Sequence, residues 1–250
     1  MTGMLDPALL LQGYAAGIFP MADSRDADDV FWVEPRRRAI LPLDRFHCSR
    51  SLARRIRSGR FEIRRDTAFA EVMAACGARD ETWINRGIAD ATLALHAAGH
   101  AHSIECWHDD ALVGGLYGVR VGAAFMGESM FSLMSDASKV ALAWLVARLK
   151  VGQFTLLDCQ FMTSHLASLG ARQVSRNAYV ALLSAALGAG SATAGGDASL
   201  GAGEFVGFGL PDAGRRADFG ALDELLAAEG VAGAAGPSGQ LIAQLLGHTS

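Results

Sequence analysis

Three polar residues stand among apolar neighbours in the middle of the chain. Glu128 lies in GESMF after a glycine-rich hairpin, and Asp158 and Gln160 lie two apart in LLDCQ. In a strand alternate side chains share a face, so Asp158 and Gln160 point the same way, with Leu156, and opposite to Leu157 and Cys159. Burying an acid and an amide on an apolar face costs free energy unless each finds a partner. Two solutions are open: the pair bond each other or a nearby loop, or they form a hydrogen-bond relay. In the relay Asp158 orients Gln160 or a water, and the Gln160 amide oxygen accepts from an attacking amine. An amide is a poor base, so it positions a neutral amine better than it removes a proton. Glu128 suits either recognition of a cation or general-base work. Cys159 faces away from Asp158, and no Ser-His-Asp or Cys-His constellation is evident, which disfavours a covalent acyl-enzyme. His96, His100 and His102 have no carboxylates or cysteines at ligand spacing, and Gly99 breaks an i, i+4 pair, so neither a metal nor a cofactor is expected.

The elements around these residues read as a mixed α/β chain. Hydrophobic and turn patterns predict helices over residues 7–16, 66–76 and 88–98, then three strands in a meander over 103–108, 111–119 and 123–127. Glu128 follows directly on the third strand. A helix capped by Ser135 or Asp136 runs to about residue 150, with Ala137, Val140, Ala141, Trp144 and Leu145 as its buried stripe. A strand over 153–161, a helix over 163–169 and a strand leading into a helix over 178–187 complete the unit. Strand-strand-strand-helix-strand-helix suggests an acyltransferase fold of the kind that uses acetyl coenzyme A. The Q/R-x-x-G-x-G/A pyrophosphate loop of that fold is missing before Ala137, where the chain has SLMSDASK. An acyl donor other than coenzyme A is therefore favoured.

Charge is unevenly spread. The net charge is −4 and charged residues make up only 19% of the chain, so no global basic field points to nucleic acid. Residues 36–65 nevertheless hold eleven arginines (36, 37, 38, 45, 50, 54, 55, 57, 60, 64 and 65) against Asp44 and Glu62. Ser49 caps a short helix on which Arg50, Arg54 and Arg57 share a face, with Arg55 beside them. Arginine forks suit phosphate oxygens, so this stretch is read as a grip on a phosphate backbone. Trp83, in a polar loop, is either a core residue or a platform on which a base stacks. With 51% hydrophobic residues the chain can bury a sizeable core, no apolar run approaches the ~20 residues of a membrane span, and four scattered cysteines read as reduced thiols. A cytoplasmic protein is expected. A Gly/Ala/Ser-rich linker over residues 190–203 and weak helices over 223–229 and 240–246 read as an appendage that is free to dock on the core but carries no chemistry. The expected division is residues 1–40, 41–188 and 189–250.

Taken in order, YAAGIFPM, RAILPL, FHCSRSL, TWINRG, GHAHSIECW, LVGGLYGV, FMGESMFS, ASKVAL, LLDCQ and HLASLGA resemble the bacterial leucyl/phenylalanyl-tRNA–protein transferases over residues 5–187. The resemblance implies a small N-terminal domain on a GNAT-like acyltransferase domain. It implies transfer of leucine or phenylalanine, with methionine as a third candidate, from charged tRNA to the α-amino group of proteins that begin with Arg or Lys. The product would then be marked for degradation, and the enzyme would act as a monomer. By motif, Asp158 and Gln160 are implicated in peptide-bond formation, and Glu128 would hold the basic side chain of the acceptor. Trp83 would stack on the 3′-adenosine, with Tyr14 nearby. Leu116, Phe125, Met130, Leu142, Leu145 and Leu157 would line the aminoacyl pocket, and the arginines would grip the acceptor stem. Whether a regular strand can place Leu157 in that pocket and Asp158 in the relay stays open. Met21 stands where some members have Trp, Val33 stands where a second Trp of a pair can occur, and the C-terminal extension is longer than expected. The competing readings are a coenzyme-A-dependent N-acetyltransferase and a tRNA-dependent peptidyltransferase of cell-wall synthesis.

Overall fold

The computed structural model describes residues 5–188, 217–230 and 237–247. The linker expected over 190–203 lies outside them. In chain order the elements are α1 (Pro7–Ala15), β1 (Phe19–Met21), β2 (Phe31–Val33), β3 (Arg37–Ile40), α2 (Arg50–Arg57), β4 (Glu62–Arg65), α3 (Phe69–Gly77), α4 (Arg86–Ala97), β5 (Ala101–His108), β6 (Ala111–Val121), β7 (Ala124–Ser132), α5 (Ala137–Val151), β8 (Leu156–Gln160), α6 (Ser164–Ser168), β9 (Arg172–Ser175), α7 (Arg176–Ala186), α8 (Ala221–Ala228) and α9 (Pro237–Gly247). A hairpin of β1 and β2 belongs to the small N-terminal part. The main sheet runs β4-β5-β6-β7-β8-β3-β9. All its pairings are antiparallel except β7 with β8, which α5 joins as the crossover that a parallel pair requires.

Two apolar cores lie on the two sides of this sheet. One gathers Leu116, Phe125 and Leu157 of the sheet with residues of α2, α5, α8 and α9. The other gathers Tyr117, Met126 and Leu156 with residues of α1, α3, α4 and α7. The alternation of β8 is thus visible directly: Leu156 belongs to one core and Leu157 to the other.

Several expectations change in detail. β3 and β4 were hidden in the arginine-rich stretch, because charge masks a strand pattern of only four residues. β3 inserts between β8 and β9, so residues 37–40 belong to the main sheet. The helix expected from Asp66 begins at Phe69, since Asp66 has a positive φ of 59° that no helix accommodates. β7 does not end at Gly127 but runs to Ser132. Asp136 occupies the N-cap position of α5 in a left-handed conformation, but its carboxylate makes no capping bond and pairs with Lys139 and Arg55. The predicted stripe of α5 is buried, and so is most of its remaining surface, because α2, α8 and α9 cover the outer side.

Two of these three helices, α8 and α9, come from the C-terminal extension, which docks on the core. Phe219 is 2% exposed and stacks on Phe125 and His102. Arg148, itself buried, donates to both oxygens of Asp223 at 2.8 and 2.5 Å and to the Phe219 carbonyl at 2.7 Å. α9 packs so closely on α2 that a Cβ at Gly239 would strike the Ile56 carbonyl. Lys150 donates to the Leu245 carbonyl near the end of α9, satisfying one of its terminal acceptors.

Candidate active site

β8 delivers Asp158 fully buried, and four donors converge on its carboxylate. Arg38 donates from Nε at 2.9 Å to Oδ1 and from Nη2 at 2.6 Å to Oδ2. The Gln160 backbone N–H donates to Oδ1 at 2.8 Å, and the Tyr179 hydroxyl to Oδ2 at 3.0 Å. Such a charge-assisted fork is among the stronger protein hydrogen bonds. Burial opposes the Arg38 charge, but the Asp158 carboxylate overrides it and holds the guanidinium above its ordinary value. The guanidinium lies over the rings of Phe19 and Tyr179, at 4.5 and 4.6 Å from their centroids, and donates to the Gly17 carbonyl. The GIFP motif therefore forms the cover of this ion pair. Arg38 was grouped with the phosphate-binding arginines; at 2% exposure it is instead the counterion of Asp158. The apolar run Ala39-Ile40-Leu41 beside it was the sequence signal. Tyr179, also unanticipated, carried no distinguishing signal within its helix. Burial, followed by the Asp158 charge, pushes its phenol well up.

Asp158 does not orient the Gln160 side chain directly. It fixes the Gln160 backbone, which adopts a φ of +58°. A left-handed conformation outside glycine costs on the order of 1–3 kcal/mol and persists only when surroundings over-determine it. Here the over-determination is the bond to Asp158 at one end of the residue and a bond to Glu128 at the other. Gln160 Nε2 donates to Glu128 Oε1 at 2.9 Å. With its amide nitrogen so engaged, its amide oxygen makes no hydrogen bond among the described residues.

Glu128 owes its position to a β-bulge. Tyr117 pairs with Ser129 and Gly118 with Gly127, which leaves Glu128 as the extra residue of β7. Without the bulge, Glu128 and Met130 would share a face. With it, Met130 packs on the core that contains Phe125, while Glu128 reaches Tyr14 on the opposite side. β7 and β8 also stop pairing after Met126 and Asp158. Glu128 and Gln160 thus meet across a split between two adjacent strands. Burial raises the Glu128 carboxyl to about 7, against the opposing effect of hydrogen bonds from Tyr14 and Gln160.

The remaining expected residues fall into separate groups. Tyr14 is 1% exposed, and its hydroxyl bonds Glu128, so its ring is a support for Glu128 rather than a surface for an adenine. Trp83 is half-buried in the loop before α4, and its carbonyl accepts from Ala22 at 3.1 Å. Leu116, Phe125, Leu142, Leu145 and Leu157 share one core, with Met130 packed partly exposed against it. That core lies on the face opposite Asp158, and the β7/β8 split is where the two sides approach. Arg50, Arg54 and Arg57 are exposed along α2, whereas Arg55 turns towards Asp136 at 3.6 Å. Arg64 and Arg65 are paired with Glu62 and Asp223. Among the described residues no group of three or more His, Cys, Asp or Glu is placed to hold a metal ion.

Amide and carboxylate meet at the strand split, and the neighbouring thiol of Cys159 is packed in the opposite core with its pKa raised by burial, an arrangement suited to a transferase that aligns reactants more than to one with a thiolate nucleophile. The family models locate it further: residues 40–184 match the leucyl/phenylalanyl-tRNA protein transferase and residues 3–36 the N-terminal domain of that protein. The transferase of that name from Rhizorhabdus wittichii is 59% identical over 253 residues, covering 98% of this chain and 99% of that protein. The one from Novosphingobium aromaticivorans is 51% identical over 266 residues, covering 98% and 97%. The one from Zymomonas mobilis is 60% identical over 191 residues, covering 75% and 71%. The chain belongs to the leucyl/phenylalanyl-tRNA–protein transferase family.

Proposed function

We propose that this enzyme moves leucine or phenylalanine from aminoacyl-tRNA to the α-amino group of proteins beginning with Arg or Lys, acting as a monomer on a GNAT-like scaffold. The observation that carries the reading is the Glu128–Gln160 contact across the strand split. A carboxylate beside an amide supports the reading in which Glu128 takes the cationic side chain and the Gln160 amide oxygen takes the amine. In the reaction the acceptor nitrogen attacks the ester carbonyl carbon, the bond to the ribose oxygen breaks, and that oxygen leaves with the proton the amine gives up. Gln160 accepts a hydrogen bond from the amine and holds its lone pair towards the ester. Asp158, already accepting from Arg38, Tyr179 and the Gln160 backbone, has the role of fixing Gln160 and not of a base. Aminolysis of an ester runs downhill, so alignment is the main requirement, and it can be worth about 7–11 kcal/mol of barrier in favourable cases.

Trp83 is assigned to the 3′-adenosine and the core around Phe125 to the aminoacyl side chain. The opening of parallel β7 and β8 supports the GNAT-like assignment. The start of α5 argues against a coenzyme A donor: Asp136 puts a carboxylate where such a fold would receive a pyrophosphate. No helix among the described residues is long and apolar enough to cross a membrane. The deciding assay offers labelled leucyl-tRNA and a protein with N-terminal Arg, with acetyl coenzyme A as the alternative donor. Transfer of leucine is expected. Acetylation without tRNA, or transfer that ignores protein N-termini, would sink the reading.

A further inference from the structure

α2 and α9 lie side by side, and a cleft of 290 Å³ opens between them, lined by Arg57, Gln240, Ala243 and Gln244. Its lining is about half polar, from Arg57, Gln240 and Gln244, and half apolar, and neither helix carries an acidic residue. Arg57 is exposed and makes no ion pair among the described residues, in contrast to Arg55, Arg64 and Arg65, which all have acidic partners. Gln240 and Gln244 are exposed and stand one turn apart, so both amides face the same side of α9. The close packing at Gly239 fixes α9 against the helix that bears the arginines, so the spacing of these groups is set by the fold. α9 lies beyond the segment that matches the family model.

We propose that this cleft is a seat for the phosphodiester backbone of the tRNA donor, in which Arg57 supplies the charge and Gln240 and Gln244 donate to phosphate oxygens or ribose hydroxyls. The proposal rests on the aminoacyl-tRNA reading above. The chemistry fits because an arginine fork pairs with phosphate oxygens and an amide adds hydrogen bonds without a second charge to desolvate. At 290 Å³ the cleft falls just below the range of ligand sites, about 300–1,000 Å³, which suits one backbone unit better than a free cofactor. A continuous backbone, not a lone anion, is indicated by Arg50 and Arg54, which extend the same exposed row over about 10 Å of α2 at the helical rise. The C-terminal extension would thus complete a binding surface that the arginine-rich helix begins.

The test uses the full chain with two double variants, Gln240→Glu with Gln244→Glu, and Gln240→Lys with Gln244→Lys. Steady-state transfer is measured with leucyl-tRNA over a range of salt, and with the leucyl ester of adenosine as a donor lacking any backbone. The Glu pair should raise KM for leucyl-tRNA about ten-fold at low salt, against little change for the short ester. The Lys pair should lower that KM and steepen its salt dependence by roughly one to two units of slope. KM for leucyl-tRNA unmoved by both pairs, or both donors impaired alike by the Glu pair, would overturn the cleft assignment. If the Glu pair fails to fold by circular dichroism, the Lys pair decides alone. A wild-type chain that takes nothing from leucyl-tRNA would overturn the parent reading and the cleft with it, whereas normal wild-type transfer with unaffected variants overturns the cleft only.

Discussion

Gln160 is held in a backbone conformation that residues other than glycine seldom adopt, and the residues that hold it there can be tested one by one. Removing the Arg38 guanidinium leaves a buried, uncompensated carboxylate. Arg38→Met should therefore cost about 3–5 kcal/mol of stability, read from urea unfolding. A loss below about 1 kcal/mol would show that Asp158 is neutralised by other means. Gln160→Ala should lower turnover at least a hundred-fold while binding of leucyl-tRNA survives, and near-normal turnover would remove the amide from the mechanism. Glu128 gives a pH signature. Its carboxyl is raised to about 7, so it is charged above that pH and neutral below. kcat/KM for acceptors with N-terminal Arg should rise with pH through about 7, and Glu128→Gln should lower it and flatten that limb. The linkage has the opposite sign for stability, because the folded chain keeps a proton that the unfolded chain releases near pH 4.5. Glu128→Gln should accordingly raise the melting temperature at pH 8 more than at pH 5.

At the scale of elements, the bulge in β7 and the split between β7 and β8 decide which residues meet. Most helices and the meander could be read from the sequence; Ser49 accepts the capping bond expected of it, and Asn85, Thr163 and Ser175 cap helices whose caps the pattern alone did not single out. The pairing of Asp158 and Gln160 on one side was legible from strand alternation. The bulge was not, because GESMF contains no residue that demands an extra position, and only pairing with Tyr117 and Gly118 reveals it. Arg38 was misjudged because a local count of arginines says nothing of which one a sheet buries. α2 carries its own prediction. Exchanging Arg50, Arg54 and Arg57 for Gln should weaken leucyl-tRNA binding and flatten its salt dependence by about two to three units of slope. An unchanged slope would place the tRNA elsewhere.

On the scale of the whole molecule, the C-terminal extension changes the balance of the core. Composition gave little weight to it, because glycine and alanine dominate and only three aromatics, Phe205, Phe208 and Phe219, interrupt them. Its weight comes from what it meets: Phe125, Phe154, His102 and the buried Arg148. Phe219→Ala should cost about 3–5 kcal/mol, as other buried aromatic truncations do. Thermal unfolding would read it as a clear drop in melting temperature, and an unshifted transition would mean that the segment is not seated in solution. The site has a wider dependence of its own. Arg38 and Asp158 are 120 residues apart in sequence, and β3 reaches its place only once β8 and β9 are available to flank it. The loop closed by that ion pair is long, and contacts of this range form late and slowly. During synthesis the N-terminal strand must wait, unpaired, for most of the chain to emerge. A truncated or half-folded polypeptide therefore lacks the counterion of Asp158 and cannot fix Gln160, so on the proposed mechanism activity would itself report that the sheet has closed.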